Sequence, residues 1–309
     1  MEFFRQTNID FLGRLKFALA FSMTMILAGI LSLLIKGGPL YGIDFLGGTE
    51  VNVKFQNPQQ TAVVRQALST QGISKAEIKQ FGDRTDFLIR VQQQESGTQV
   101  SDAIVAALQK AFPHDAPTLQ SVDSVGPKIG QELRDAAIWA IIIALGLILI
   151  YISIRFEFVF AVGAVVALVH DVVITLGLFS LFNMEINLAI VAAFLTLVGY
   201  SLNDTIVVYD RIRENMVLLR REAMSIEKVI NLSINQTLNR TILTSGTTLL
   251  VVVILFFFGG EVIRGFSFCM LAGIIIGTYS SIFIAAPLVV EWYHRQQTAK
   301  IKMKPVGVR

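Results

Sequence analysis

Charge is what this sequence has least of: Asp, Glu, Lys and Arg make up 16% of its 309 residues, against 53% hydrophobic. A soluble domain carries roughly a quarter charged residues, so an ordinary soluble fold is excluded. The apolar residues gather in long runs, as in a polytopic membrane protein. Cysteine is nearly absent. With Cys269 alone, inside an apolar run, no intrachain disulfide can form, and the residue reads as a small packing group. Histidine occurs three times, with no HExxH pair, and there is neither a P-loop nor a nucleophile elbow. An enzymatic activity, a metal centre and a cofactor therefore have no support. Basic residues are not interleaved with aromatics as in a nucleic-acid module, so no nucleic-acid partner is expected.

The chain opens on Met1–Lys16, with Arg5, Arg14 and Lys16, before the apolar run Phe17–Ile35. That run is longer than a signal-peptide core of about 7–15 residues, and no small-residue cleavage site follows it. It is expected to be a retained membrane helix, so 1–35 forms an N-terminus plus the first span. Five further runs follow at about Ala136–Ile154, Phe158–Phe182, Ile186–Tyr209, Thr241–Phe258 and Phe266–Trp292. Within 136–292, only Asp210–Arg240 is long enough to be called a loop, and it looks amphipathic and helical.

Between the first two runs lies a polar stretch, 36–135, of globular composition. Gly42–Phe55 alternates as a strand and contains the Gly47–Gly48 pair, which marks a bulge or tight bend. Thr61–Thr70 and Val100–Phe112 have helical spacing; Glu77–Phe81, Phe87–Val91 and Thr118–Val125 read as strands, with Gly82–Asp86 as a turn. The order β-α-β-β-α-β predicts a ferredoxin-like α+β domain inserted into a six-helix membrane protein.

Lysine and arginine set the orientation. With the N-terminus inside, the inner segments hold Arg5, Arg14, Lys16, Arg155, six in Arg211–Arg240 and five in the basic tail 293–309, while the short outer turns hold Arg264 alone. By the positive-inside rule both termini are expected in the cytoplasm and the α+β domain outside it. The basic segments then fix topology and touch anionic lipid.

The polar residues inside the runs carry the functional argument. Thr196, Tyr200 and Asp204 recur every fourth residue, with Gly199 and Asn203 beside them. That stripe is expected to face the bundle, and Leu195, Val198, Leu202 and Ile206 to face lipid. Arg240, Thr244, Thr247 and Thr248 make a matching stripe on the fifth run, which makes Arg240 the leading partner for Asp204. An ionised aspartate in a membrane costs about 2.5–3.5 kcal/mol, so Asp204 is either half of a register-setting ion pair or a titrating proton site. Arg240 has the alternative of snorkelling to the interface. His170–Asp171 in the third run, with Thr175 one turn on, is either a structural hydrogen-bonded pair or a relay. Gly273 and Gly277 read as close-packing positions.

Six stretches give a resemblance: YGIDFLGGTEV (Tyr41–Val51), SVGPKIGQELR (Ser124–Arg134), VHDVVITLG (Val169–Gly177), VGYSLNDTIVVYDRIREN (Val198–Asn215), LNRTILTSGTTLL (Leu238–Leu250) and AGIIIGTYSSIFIAAPL (Ala272–Leu288). Together they resemble the SecF family of protein-export membrane subunits, within the resistance-nodulation-division superfamily. The resemblance implies a bacterial-type inner-membrane protein that pairs with SecD and acts beside the SecYEG channel. Such proteins use the proton-motive force to help draw out a preprotein. In the family, the aspartate and arginine matching Asp204 and Arg240 take part in proton movement. Two alternatives stand beside this: half of another proton-driven exporter of the superfamily, or a non-transporting assembly scaffold.

Overall fold

A computed structural model describes residues 7–73, 76–81, 84–91, 99–222 and 224–302. Arg5, the Gly82–Asp83 part of the expected turn and the tail beyond 302 lie outside these. Leu15–Lys36 forms α1, which ends on Gly37 in the left-handed conformation (φ 74°), with the Gly38 amide reaching back to the Leu33 carbonyl at 2.8 Å. A short helical turn, Ile43–Leu46, leads into β1 (Gly48–Lys54), and then come α2 (Thr61–Thr70), β2 (Glu77–Phe81), β3 (Asp86–Val91), α3 (Gln99–Ala111) and β4 (Thr118–Val125). The remaining chain is α4 (Pro127–Arg155), α5 (Phe158–Leu181), α6 (Leu188–Leu218), α7 (Ile226–Phe258) and α8 (Glu261–Ser280). A π-helical segment, Ser281–Ala285, joins α8 to α9 (Ala286–Lys302).

Among the described residues, six helical stretches are long and apolar enough to cross a membrane. Their large outward side chains, Phe17, Ile154 and Phe258 among them, suit a hydrocarbon surround. The spans starting at Phe158 and Val262 form the inside of the bundle, whereas α4 and α7 are largely exposed. The main bundle core gathers Ile152, Phe160, Leu168, Leu202, Tyr209, Ile234 and Val289.

The α+β domain has its strands in the order β2-β3-β1-β4, every neighbouring pair antiparallel. This is the split βαβ arrangement expected from the element order. Alternate residues Val51, Val53, Phe87 and Ile89 turn to one face and are covered by Val64, Leu68, Ile104 and Leu108 of α2 and α3. Two boundaries differ from the sequence expectation. The first strand starts at Gly48, because Gly42–Leu46 is taken up by the helical turn. The first span after the domain starts at Pro127, because proline at the first helical position and the sequence after it extend the helix outward past Ala136. The expected loop 210–240 is likewise no separate element: α6 runs on to Leu218 and α7 begins at Ile226. The two extensions pair through the buried Asn215 amide, which donates to Ser233 at 2.9 Å and Gln236 at 2.8 Å.

The domain is fastened to the bundle at the α5–α6 turn. Ile186 exchanges backbone hydrogen bonds with Leu40 and Gly42 at 2.7 and 2.9 Å, and Asp44 accepts from the Leu188 amide at 2.9 Å. Gly47 (φ 74°) passes so close to Pro127 that a Cβ there would lie 2.9 Å from the proline Cα. Charge closes the junction. Arg90 donates through one nitrogen to Glu50 at 2.7 Å and to Glu185 of the turn at 2.5 Å, and Lys79 also pairs with Glu185.

Burial pushes the Glu185 carboxyl upward, but hydrogen bonds from Arg90 and Lys79 outweigh it and hold the group below the usual glutamate range. Burial likewise works against the Arg90 charge, and the bonds to Glu185 and Glu50 more than offset it, leaving its pKa raised. A depressed acid stabilises the folded form above its unfolded value and loses that contribution as pH falls through the folded one. Domain docking is therefore complete at neutral pH and weakens on acidification below the carboxylate range. Glu185→Gln should weaken docking at neutral pH by about 1.5–3 kcal/mol, the worth of hydrogen bonds to a charged group. Hydrogen exchange over Leu40–Gly47 measures it, and unchanged protection would refute it.

Candidate functional site

Where Asp204 ends up follows from helical geometry. At 3.6 residues per turn, positions four apart drift by about 40° per step. The stripe Thr196, Tyr200, Asp204 therefore winds around α6 instead of holding one face. Its start is outward: Thr196 and Asn203 are exposed, and the Thr196 hydroxyl bonds back to its own helix at Ala192. Its end is inward, with Asp204 buried. Val198 and Leu202, expected toward lipid, are buried in the core. The inward arc is Leu197, Ser201, Asp204, Thr205 and Val208.

Two hydroxyls hold the Asp204 carboxylate. Ser245 of α7 donates to Oδ2 at 2.8 Å, and Thr278 of α8 lies 3.1 Å from the same oxygen. Thr278 is also 3.0 Å from the Ser245 oxygen. Its single hydrogen serves one acceptor at a time, so the three groups form a triangle with a choice of arrangement. Arg240 stands differently from expectation. Its side chain is exposed and makes no ion pair with Asp204, acting on that carboxylate through its field from a distance. Ser245 lies five residues beyond Arg240, so a helix that turns Ser245 inward turns Arg240 away.

The rest of the α7 stripe divides. Thr244 and Thr247 are exposed and satisfied by carbonyls of their own helix, whereas Thr248 pairs with the Tyr200 hydroxyl. A narrow cleft, too tight for a water molecule in this conformation, lies between Tyr200, Ser201, Asp204, Ser245, Gly277 and Thr278. Gly277 makes it possible: a Cβ there would sit 2.9 Å from Cβ of Ser201. Gly273 meets Leu197 in the same crossing.

The second polar centre has Asp171 fully buried at its heart and joins four helices. Asp171 of α5 shares a hydrogen with the His170 ring at 2.9 Å and accepts from Ser201 of α6 at 2.5 Å and Ser280 of α8 at 2.8 Å. The other ring nitrogen of His170 meets Ser22 of α1 at 2.9 Å, and Ser22 meets the Tyr279 hydroxyl of α8 at 2.9 Å. Thr175 is buried without a hydrogen-bond partner among the described residues. Ser201 belongs to both centres, since it lines the Asp204 cleft and bonds Asp171.

Ser22, Ser201, Ser245, Thr278, Tyr279 and Ser280 were not picked out from the sequence. The available signal was small hydroxyls beside glycines in apolar runs (Ser245–Gly246, Gly277–Thr278), which is weaker than a charge.

Residues 104–295 match the family described as protein export membrane protein SecD/SecF, C-terminal. A protein translocase subunit SecF from Rhodothermus marinus is 49% identical over 94% of this chain and 95% of its own. The chain belongs to the SecF family. A crystal structure of SecDF, titled a translocon-associated membrane protein, from Thermus thermophilus, shares 37% identity and superposes with TM-score 0.84 over 94% of this chain. SecDF in a form titled super-membrane-facing shares 36% identity with TM-score 0.72. This chain spans 39% and 41% of those two SecDF chains, so the SecF-type portion is what it matches.

The α6–α8 crossing offers a direct check of the site's packing. Gly277→Leu should destabilise this SecF-family chain by about 1–3 kcal/mol through overpacking against Ser201. Gly246→Ala, where nothing stands within 4 Å, should be near neutral. Thermal unfolding in detergent separates the two.

Proposed function

We propose that this chain, in the inner membrane and paired with a SecD-type subunit, uses the proton-motive force to assist preprotein translocation at the SecYEG channel. Asp204 is the proton site. Both termini lie in the cytoplasm and the α+β domain outside it, in line with the lysine and arginine distribution.

One observation carries the reading: the Asp204 carboxyl is buried among hydroxyls and stands apart from a fixed cation. A serine or threonine hydroxyl donates to a carboxylate and can equally accept from a carboxylic acid. The site therefore accommodates both protonation states with small rotations. A bidentate arginine pair would favour the ionised state alone. Arg240, exposed midway along α7 and felt at Asp204 through its field, is placed to change its influence as helices move. The Thr278 hydrogen, free to serve Asp204 or Ser245, is the smallest of those moves. Each proton carried inward releases about 2.3 kcal/mol per 100 mV. α1 and α4 run directly into the domain, which gives a repacking of the bundle a path to it.

A scaffold role is the competing reading, in which Asp204 only ties α6 to α7 and α8. Asp204→Asn tests the proposal. Co-expressed with SecD, the variant should assemble normally and lose the proton-dependent part of preprotein export in inverted vesicles, falling to the level seen without a potential. Normal assembly with full proton-dependent export would overturn it.

A further inference from the structure

We infer that His170 and Asp171 together hold one proton in this conformation, forming a second proton-holding site distinct from Asp204. Four contacts in a chain fix the number of hydrogens between them. Asp171 Oδ1 meets His170 Nδ1 at 2.9 Å, His170 Nε2 meets Ser22 Oγ at 2.9 Å, Ser22 Oγ meets the Tyr279 hydroxyl at 2.9 Å, and that hydroxyl meets the Ala18 carbonyl at 2.5 Å.

The last contact has one possible direction. A carbonyl only accepts, so Tyr279 spends its one hydrogen on Ala18. The Ser22–Tyr279 contact must then be bridged by the Ser22 hydrogen. Ser22 has none left for His170, so Nε2 carries a hydrogen and donates it to Ser22. At the far end the Nδ1–Oδ1 contact also needs a hydrogen. It sits either on the ring, giving imidazolium against carboxylate, or on the acid, giving neutral imidazole against carboxylic acid. The total is the same in both forms: the pair is net neutral and carries one proton more than a neutral imidazole beside a carboxylate. Which atom bears it is a matter of microstate.

The surroundings agree with a net-neutral pair. The polar groups packed on it are Ser22 from α1, Ser201 from α6, and Tyr279 and Ser280 from α8. Tyr279 is the other titratable side chain in this chain of contacts, Asp204 lies one turn along α6 from Ser201, and His170 is the one ion-pair partner of Asp171 among the described residues. An uncompensated carboxylate here would have neutral donors alone, the hydroxyls and a neutral ring, to balance its charge.

Loss of the proton has a defined structural consequence. The remaining ring hydrogen stays on Nδ1 facing the carboxylate, and Nε2 becomes an acceptor. Ser22 turns its hydrogen to Nε2, and then either Ser22 and Tyr279 face each other at 2.9 Å with no hydrogen between them, or Tyr279 turns its own hydrogen from the Ala18 carbonyl to Ser22. One of the two hydrogen bonds between Tyr279 of α8 and α1 is lost, and the other remains. Because α1 leads directly to the α+β domain, the state of this pair adjusts one of the contacts that hold that helix to the bundle. Its use in proton-driven work rests on the function proposed above; the count of hydrogens does not.

The chain has three histidines, and His114 and His294 are exposed. A full-length His114→Gln/His294→Gln chain in lipid vesicles therefore leaves His170 as the only imidazole. Nitrogen NMR on labelled histidine, with infrared on the carboxyl region, should find one of two results. Either both ring nitrogens are protonated, or Nε2 alone is, with a protonated-acid band that Asp171→Asn removes. A neutral ring beside an ionised carboxylate would overturn the inference. Tyr279→Phe provides the second test. It removes the hydrogen committed to Ala18 and frees Ser22 to donate to Nε2, so the ring should give up its proton more readily; an unchanged ring titration counts against the assignment. Neither readout depends on Asp204. Loss of coupling in Asp204→Asn with a neutral His170 ring would sink this inference alone, and intact coupling with a protonated pair would sink the proposed function alone.

Discussion

A membrane interior supplies no water to a polar group, so each one must be satisfied by the protein around it. Much of this bundle is arranged to meet that demand for Asp171 and Asp204. The partners are serine and threonine hydroxyls, short side chains that reach only if helices come close. Close approach in turn demands glycine: Gly277 against Ser201 sets the α6–α8 crossing, and Gly29 against Gly177 sets α1 on α5, where a Cβ on either would come within 2.7 Å of the other's Cα. The glycines and the hydroxyls are one device. The π-helical segment Ser281–Ala285 belongs to it as well, starting just after Ser280 and turning the last helix without breaking it.

The fold was largely legible from the sequence. Apolar runs mark the six spans because a helix must cover the hydrocarbon thickness, and no local cue can disguise that. The α+β domain was legible because its elements alternate in period. Helix ends were read less well. Pro127–Asp135 and Asp210–Arg240 are polar, and polarity marks where the apolar run stops without marking where the helix stops. Helices continue past the membrane wherever capping and partner contacts allow, as Asn215 and Ser233 do for α6 and α7.

The site was legible by its charge but not by its contacts. Asp204, His170 and Asp171 stood out because ionisable groups are costly in lipid. Their partners did not, because hydroxyls in apolar helices are common and bond back to their own carbonyls, as Thr196, Thr244 and Thr247 do. Only the rotation of each helix decides between the two uses. Taking the i, i+4 stripe as a fixed face put Arg240 opposite Asp204. The drift of that stripe brought Ser245 there, and left Arg240 to act from a distance.

Two kinds of fastening thus meet on the way from the bundle to the domain, and they differ in what can release them. The Arg90–Glu185–Lys79 junction is made of permanent charges whose partners stay ionised at neutral pH, so acid or mechanical force is needed to open it. In the arrangement inferred above, the hydrogen bonds of Tyr279 to Ser22 and Ala18 of α1 are both made only while His170–Asp171 holds its proton. Of the two, only the second responds to a proton arriving or leaving inside the membrane. If the domain moves in response to protons, its contact with the α5–α6 turn makes that turn travel with it, and the α1–α8 contact at Tyr279 is the one that loosens.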